Sequence, residues 1–267
     1  MAKEGSMKWV SVIMLALAVL VSGCVTTTDS GFSREADRDK ALENYVRLAT
    51  AYIGQGNLDR ARHHLDRALE IDDNNAAALA AEGLVYSADG EDELAEKSFR
   101  QSIAADSGYT RGRIYYGAYL YSKRRFAEAR DQFSAASRDT GYDGRGSVFF
   151  NLGMSEERLN NLPAAEKAYR RAVELTRGQP RSLLALSRVL VEQDDYSAAS
   201  RYYGRLQSAI KGSPQSSHSS ESLFTGIRIA RHYGDRDQAA SLAMMLKNQF
   251  PESIEYQQYK VLIANEQ

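Results

Sequence analysis

Small and bulky residues recur along this chain at nearly fixed intervals. Ala61, Ala95 and Ala129 follow one another at 34 residues, and Ala165, Ala199 and Ala239 continue the series at 36, 34 and 40. Twelve residues before these stand Ala49, Gly83, Gly117, Gly153, Ser187 and Ile227, and four residues after them stand Leu65, Phe99, Phe133, Tyr169, Tyr203 and Ala243. The pattern predicts helix after helix and no strand. Gly56, Gly90 and Gly234 fall between the two helices of a pair, where a helix ends on a left-handed residue, and Asn160 takes the same place once. Pro163 and Pro180 stand where helices open and a missing N–H costs nothing, and Pro251 stands in a turn.

Small, small and bulky at these offsets resembles the tetratricopeptide repeat, in which two antiparallel helices cross at small residues and the large residue fills the gap. The resemblance implies an all-α, right-handed α-solenoid of six repeats. The frames run over 42–75, 76–109, 110–143, 146–179, 180–213 and 220–253. Two departures interrupt the period: the glycine-rich stretch Gly141 to Gly146 and the polar linker Gly212 to Ser219. The sixth repeat is degenerate, with Ile227 where a small residue is due and Ala243 where a large one is. After it, Ser253 can cap a final helix over about 254–264, in which Ile254, Tyr256, Tyr259 and Leu262 cover the last repeat. The whole of 34–267 is one solenoid.

The first two dozen residues read as a targeting segment. Lys3 and Lys8 precede an apolar run of 13 residues, Trp9 to Val21, which is short against the roughly 20 residues of a membrane-spanning helix. The run ends at Val21-Ser22-Gly23-Cys24, which resembles the bacterial lipobox. That resemblance implies removal of 1–23 and acylation of Cys24, the sole cysteine, with 24–33 forming the lipidated residue and a polar tether.

Charge and chemistry narrow the function. With 34 Lys+Arg against 35 Asp+Glu the chain has no positive field of its own, so nucleic acid is not an expected partner. One cysteine excludes an internal disulfide and a cysteine-based zinc site. No Gly-x-Ser-x-Gly, Walker loop or His-Glu-x-x-His is present, and Gly141 to Gly146 lacks the preceding strand that a phosphate loop needs. His63 and His64 point about 100° apart on a helix, cannot share a metal, and read as solvated. The carboxylate pairs Asp72-Asp73 and Asp194-Asp195 read as turn and capping residues. No enzyme activity, metal, cofactor other than the lipid, or small-molecule substrate is expected, and the chain is expected to be a monomer.

What remains is a surface. On the repeat resemblance, the concave face is lined by first-helix positions. In the first two repeats these include Val46, Thr50, Ile53 and Leu84, an apolar stretch. Further along they include Arg111, Ile114, Tyr121, Phe150, Met154, Arg158, Arg181, Arg188, Phe224, Arg228 and Arg231. Arginine and aromatic residues are enriched at binding hot spots, and an arginine-rich groove suits acidic side chains or a terminal carboxylate. The alternative for any one residue is packing or a solvated face.

The sixth-repeat stretch Leu223-Phe224-Thr225-Gly226-Ile227-Arg228-Ile229-Ala230, then Gly234-Asp235-Arg236-Asp237, and Phe250-Pro251-Glu252-Ser253-Ile254-Glu255-Tyr256, combined with the lipobox and six repeats, resembles the PilF/PilW family. These are type IV pilus biogenesis and stability lipoproteins. The resemblance implies a pilotin, anchored by lipid to the periplasmic face of a Gram-negative outer membrane. It would bind secretin subunits and promote their localisation and multimer assembly, supporting pilus biogenesis and twitching motility. The alternative is another repeat-bearing lipoprotein scaffold, serving peptidoglycan hydrolases or the outer-membrane β-barrel assembly machine.

Overall fold

The structure, a computed structural model, describes residues 31–212 and 217–264. Cys24, the apolar run before it and most of the expected tether lie outside the described residues, as does Pro214 in the linker. The chain divides into two compact units, Met1–Asn44 and Tyr45–Gln267. Of the first, residues 31–44 are described and are helical, so helix begins three residues inside the expected tether rather than after it.

Among the described residues there are thirteen helices and no strand. They are α1 (Gly31–Gly54), α2 (Leu58–Ile71), α3 (Ala76–Asp89), α4 (Asp92–Ala105), α5 (Thr110–Ser122), α6 (Phe126–Ala136) and α7 (Arg145–Arg158). Then follow α8 (Leu162–Leu175), α9 (Pro180–Glu192), α10 (Tyr196–Lys211), α11 (Ser220–His232), α12 (Arg236–Gln249) and α13 (Ile254–Ala264). In the second unit they pair as first and second helices of successive repeats, α3 with α4, α5 with α6, α7 with α8, α9 with α10 and α11 with α12.

Local signals in the sequence set the ends of these helices. The Asn75 side chain accepts from the N–H groups of Ala77 and Ala78 at 3.2 and 3.0 Å, capping α3. Asp195, Ser219, Asp235 and Ser253 cap α10 to α13 in the same way at 3.0, 3.2, 2.9 and 3.2 Å. Between the two helices of each repeat the chain turns through one residue with positive φ: Gly56, Gly90, Arg124, Asn160, Asp194 and Gly234. Their spacing of 34, 34, 36, 34 and 40 residues repeats that of the alanines. Arg124 and Asp194 were not legible as left-handed residues, because neither carries the glycine or asparagine that such a turn favours.

The helix pairs cross where a glycine meets a ring. A Cβ built on Gly83 would lie 2.7 Å from Phe99, one on Gly117 2.8 Å from Phe133, and one on Gly153 2.6 Å from Tyr169. Phe99, Phe133 and Tyr169 are fully buried by this approach. The sixth repeat solves the same problem one residue earlier. Gly226 is its small residue, and a Cβ there would strike the Tyr203 hydroxyl of the fifth repeat and lie 2.9 Å from Leu242. Ile227, out of place in the repeat pattern, is thereby free to fill the terminal core with Leu223, Leu242, Ala243 and Leu246. Tyr256 and Tyr259 of α13 pack on that core, whereas Ile254, expected to cover it, is 72% exposed.

Between the second and third repeats an acid supplies the bond. Glu96 of α4 receives Arg125 at 2.6 and 3.0 Å, Arg100 at 2.6 Å and the Tyr116 hydroxyl at 3.0 Å. The hydrogen bonds, with that of Arg125 foremost, lower its pKa from 4.5 to about 2 against the opposing effect of burial.

Two outcomes are expected. Gly90→Ala should cost about 1 kcal/mol and Asp194→Gly should gain up to about 1 kcal/mol, measured by urea denaturation, because only the second relieves a left-handed side chain. Glu96 binds its proton less readily in the folded chain than in the unfolded one. Its contribution is therefore complete above about pH 4.5 and lost as pH falls towards 2. Glu96→Gln should cost about 1–2 kcal/mol at pH 7, and the difference between wild type and variant should shrink as pH falls below 4.5 and vanish below about pH 2 in thermal melts.

Candidate protein-binding groove

The first helices of the repeats share one face of the second unit. On it α3 packs against α5 and α9 against α11, but α7 touches α5 only slightly and α9 no more than that. Repeat four is preceded by a longer connection than its neighbours and followed by a four-residue turn with two left-handed residues. Before it run residues 139–144, and after it the left-handed pair Arg177 and Gly178, at φ 54° and 87°. The recess at α7 is a cleft of about 380 Å3, lined by Tyr121 of α5, Phe150, Met154, Glu157 and Arg158 of α7, Tyr169 of α8, Arg181, Leu184, Ala185 and Arg188 of α9, and Glu221 of α11.

Four of the residues selected from sequence for the groove, Tyr121, Phe150, Arg181 and Arg188, come together here, with Met154 and Arg158 from the same face. The others do not. Val46, Thr50 and Ile53 lie half-buried on α1, and the Thr50 hydroxyl donates to the carbonyl of Val46 on its own helix at 2.8 Å. Leu84 packs on the core formed by Phe99 and Phe133, and Phe224 on the terminal core. Arg111 is exposed on the first turn of α5.

The arginines of this face divide into two kinds. Arg188 bridges two acids. It donates to Glu157 of the preceding repeat at 2.7 Å and forms an ion pair with Glu221 of the following one at 2.6 Å. Burial works against its charge, and the Glu157 hydrogen bond and the two carboxylates more than offset this, so its pKa rises. Glu157 also accepts from the Tyr169 hydroxyl at 2.9 Å, and burial together with that carboxylate raises the tyrosine's pKa. Arg228 is likewise paired with Glu192. These partners stand 31 to 36 residues away in sequence, about one repeat, and opposite charges at that offset are the signal that would have found them.

Arg158 and Arg181 have no carboxylate within ion-pair distance among the described residues and are held by rings and neutral groups. Arg158 lies 5.6 Å above Phe126 and donates to the Tyr121 hydroxyl at 3.3 Å. Arg181 lies 4.8 Å above Phe150 and donates to Ser147 at 2.8 Å and Gln179 at 3.2 Å. Such cation–π seats contribute about 0.5–1 kcal/mol each and fix the guanidinium without cancelling its charge.

A larger hollow, of about 700 Å3, lies against α7 and α8 beside Phe149, Leu152, Ala164 and Ala168. Both of its arginines, Arg170 and Arg171, are paired with glutamates of their own helix, and it holds none of the residues selected from sequence.

Other histidines and acids make local contacts. His64, read as solvated, is stacked between Tyr52 at 5.4 Å and Tyr45 at 6.1 Å. Its ring belongs with the tyrosines because they flank it from the facing helix. His232 stacks on Tyr196 at 3.8 Å, joining repeats five and six. Asp72 accepts from the Asn74 N–H at 3.1 Å, an ordinary turn contact. Just before the glycine-rich stretch, Asp139 accepts from Thr110 at 2.6 Å and from the Gly141 N–H at 3.0 Å, and the stretch follows a helix rather than a strand. A carboxylate in that position opposes phosphate.

Stacked two-helix repeats, each turning through a left-handed residue and crossing at a small one, define the tetratricopeptide-repeat class. Models of that repeat match residues 39–75 and 115–180. The type IV pilus assembly protein PilF of Pseudomonas aeruginosa is 34% identical over 249 residues, spanning 93% of this chain and 96% of that one. The chain belongs to the PilF family. A solved structure of P. aeruginosa PilF superposes with a TM-score of 0.74 at 34% identity, covering 84% of this chain and 99% of the other. PilW, a widely conserved type IV pilus biogenesis factor, shares the fold with a TM-score of 0.66 at 22% identity, covering 82% and 97%.

Removing Arg188 leaves Glu157 and Glu221 facing each other without their shared cation. Arg188→Ala should therefore cost about 2–3 kcal/mol in urea unfolding, whereas Arg181→Ala, exposed and without an acidic partner, should stay within about 0.5 kcal/mol of wild type.

Proposed function

We propose that this chain is a type IV pilus pilotin. As an outer-membrane lipoprotein it binds pilus secretin subunits and promotes their localisation and assembly into the multimer through which pili emerge, so that twitching motility depends on it. The observation that carries this reading is the 34% identity to a type IV pilus assembly protein over 93% of the chain.

The physical arrangement supports it. Cys24 closes an apolar run at the place where lipoprotein processing acts, and lipid on both its thiol and its amine exceeds the single chain that gives only marginal membrane binding. The repeats supply the binding surface, and lipid and groove on one chain couple capture of a client to the membrane. The groove residues proposed to meet the client are those of the first-helix face, from Val46, Thr50, Ile53 and Leu84 through Arg111, Tyr121, Phe150, Arg181 and Arg188 to Phe224 and Arg228. The role is binding rather than catalysis, and the chain acts as a monomer.

Deleting the gene in its source bacterium should remove the heat-resistant secretin multimer from outer-membrane fractions. Wild-type protein should restore it and Cys24→Ala should not. Normal multimer in the deletion strain would exclude a pilotin role, and full rescue by Cys24→Ala would exclude the lipid from it.

A further inference from the structure

The cleft at repeat four carries a charge pattern that selects its occupant. Of its three arginines, Arg188 is ion-paired with both Glu157 and Glu221, the two acids that line the cleft among the described residues. Arg158 and Arg181 remain as the two guanidiniums without an acidic partner among the described residues, one provided by α7 and one by α9. Each is already fixed on an aromatic face and by neutral hydrogen-bond partners, so little side-chain freedom is lost when it meets an anion. The surface that accompanies them is apolar: Phe150, Met154, Leu184 and Ala185. The positive charge is local, because the chain as a whole carries a net charge of −1.

We propose that this cleft docks an acidic-apolar protein segment, with one large apolar side chain entering between α7 and α9 and neighbouring Asp or Glu carboxylates meeting Arg158 and Arg181. Each feature of the cleft has a counterpart in such a segment. Its volume of about 380 Å3 accommodates one or two large side chains rather than a folded element. Its two arginines present paired N–H groups suited to carboxylates. A segment carrying lysine or arginine beside its apolar residue would be repelled by Arg158 and Arg181. The proposal rests on the reading of this face as a protein-binding surface. It names the chemistry of what binds and narrows the anion contacts from the whole arginine series to two residues.

The test uses the full lipidated chain in detergent and a phage-displayed library of random 12-residue peptides, selected on wild type and counter-selected on the Arg158→Glu, Arg181→Glu double variant. Enriched sequences should place Asp or Glu within four residues of Phe, Tyr, Trp, Leu or Met. A synthetic peptide of the enriched sequence should bind the double variant at least 10-fold more weakly than wild type. Arg171→Ala, beside the larger hollow, should change its affinity less than 2-fold. The Arg158→Gln, Arg181→Gln pair removes charge while keeping polar side chains, and should weaken binding at least 5-fold at unchanged helicity, which covers the case in which charge reversal disturbs folding. Failure to enrich any peptide, enrichment without acidic residues, or equal binding to wild type and to the glutamine pair would overturn the proposal. Secretin assembly in the deletion strain is read separately, so loss of the pilotin reading with successful peptide selection, or the reverse, identifies which of the two has failed.

Discussion

The structure depends on a close approach of backbone to ring. At Gly83, Gly117 and Gly153 no room exists for a Cβ, because an aromatic ring of the partner helix occupies the space. That contact sets how near the two helices of a repeat can lie and buries the ring completely. Enlarging the glycine would push the helices apart at the centre of the pair, and overpacking of this kind costs about 1–3 kcal/mol. Each repeat buries only part of its apolar surface by itself, so the remainder must be covered by the next repeat. The tilt of one pair therefore passes to its neighbour, and the face formed by the first helices follows from the crossing at the glycines.

The cleft is a local exception to this regularity. At repeat four the pairing of α7 with α8 is intact, and Gly153 still meets Tyr169, but the first helices on either side stand back from α7. The same helix thus repeats the glycine–ring packing of the other pairs on one side and leaves an open surface on the other. Arg188 spans the opening from Glu157 to Glu221 and ties repeats four, five and six together at the edge of the cleft. Arg188 thus lines the cleft and also acts as a strut, and the neighbouring Arg158 and Arg181 keep their charge available because rings and neutral polar groups, not acids, hold them.

What could be read in the sequence is what depends on one residue at one offset. The alanine and glycine series gives the period, the helix pairs and their turns, since each position has the same steric role in every repeat. The capping side chains of Asn75, Asp195 and Ser253 follow from neighbours two or three residues away. Less legible were the features that need two helices or two repeats at once. The ion pairs of Arg188 and Arg228 join residues about a repeat apart, and the stacking of His64 between Tyr45 and Tyr52 brings together facing helices. Arg124 and Asp194 were missed for another reason: the turn dictates their conformation against the preference of the residue, and only the register of the repeat marks them. The sixth repeat misled because its small residue, Gly226, is displaced by one position.

That displacement has a consequence for how the end of the molecule is held. The Tyr203 side chain reaches out of the fifth repeat into the space that Gly226 leaves, and His232 returns from the sixth to stack on Tyr196. The two repeats interlock in both directions through side chains, whereas the chain between them is a run of small polar residues. Each repeat thus holds its neighbour by a ring of its own, and the sixth keeps its register on the fifth through Tyr203 and His232 as well as through the chain that joins them.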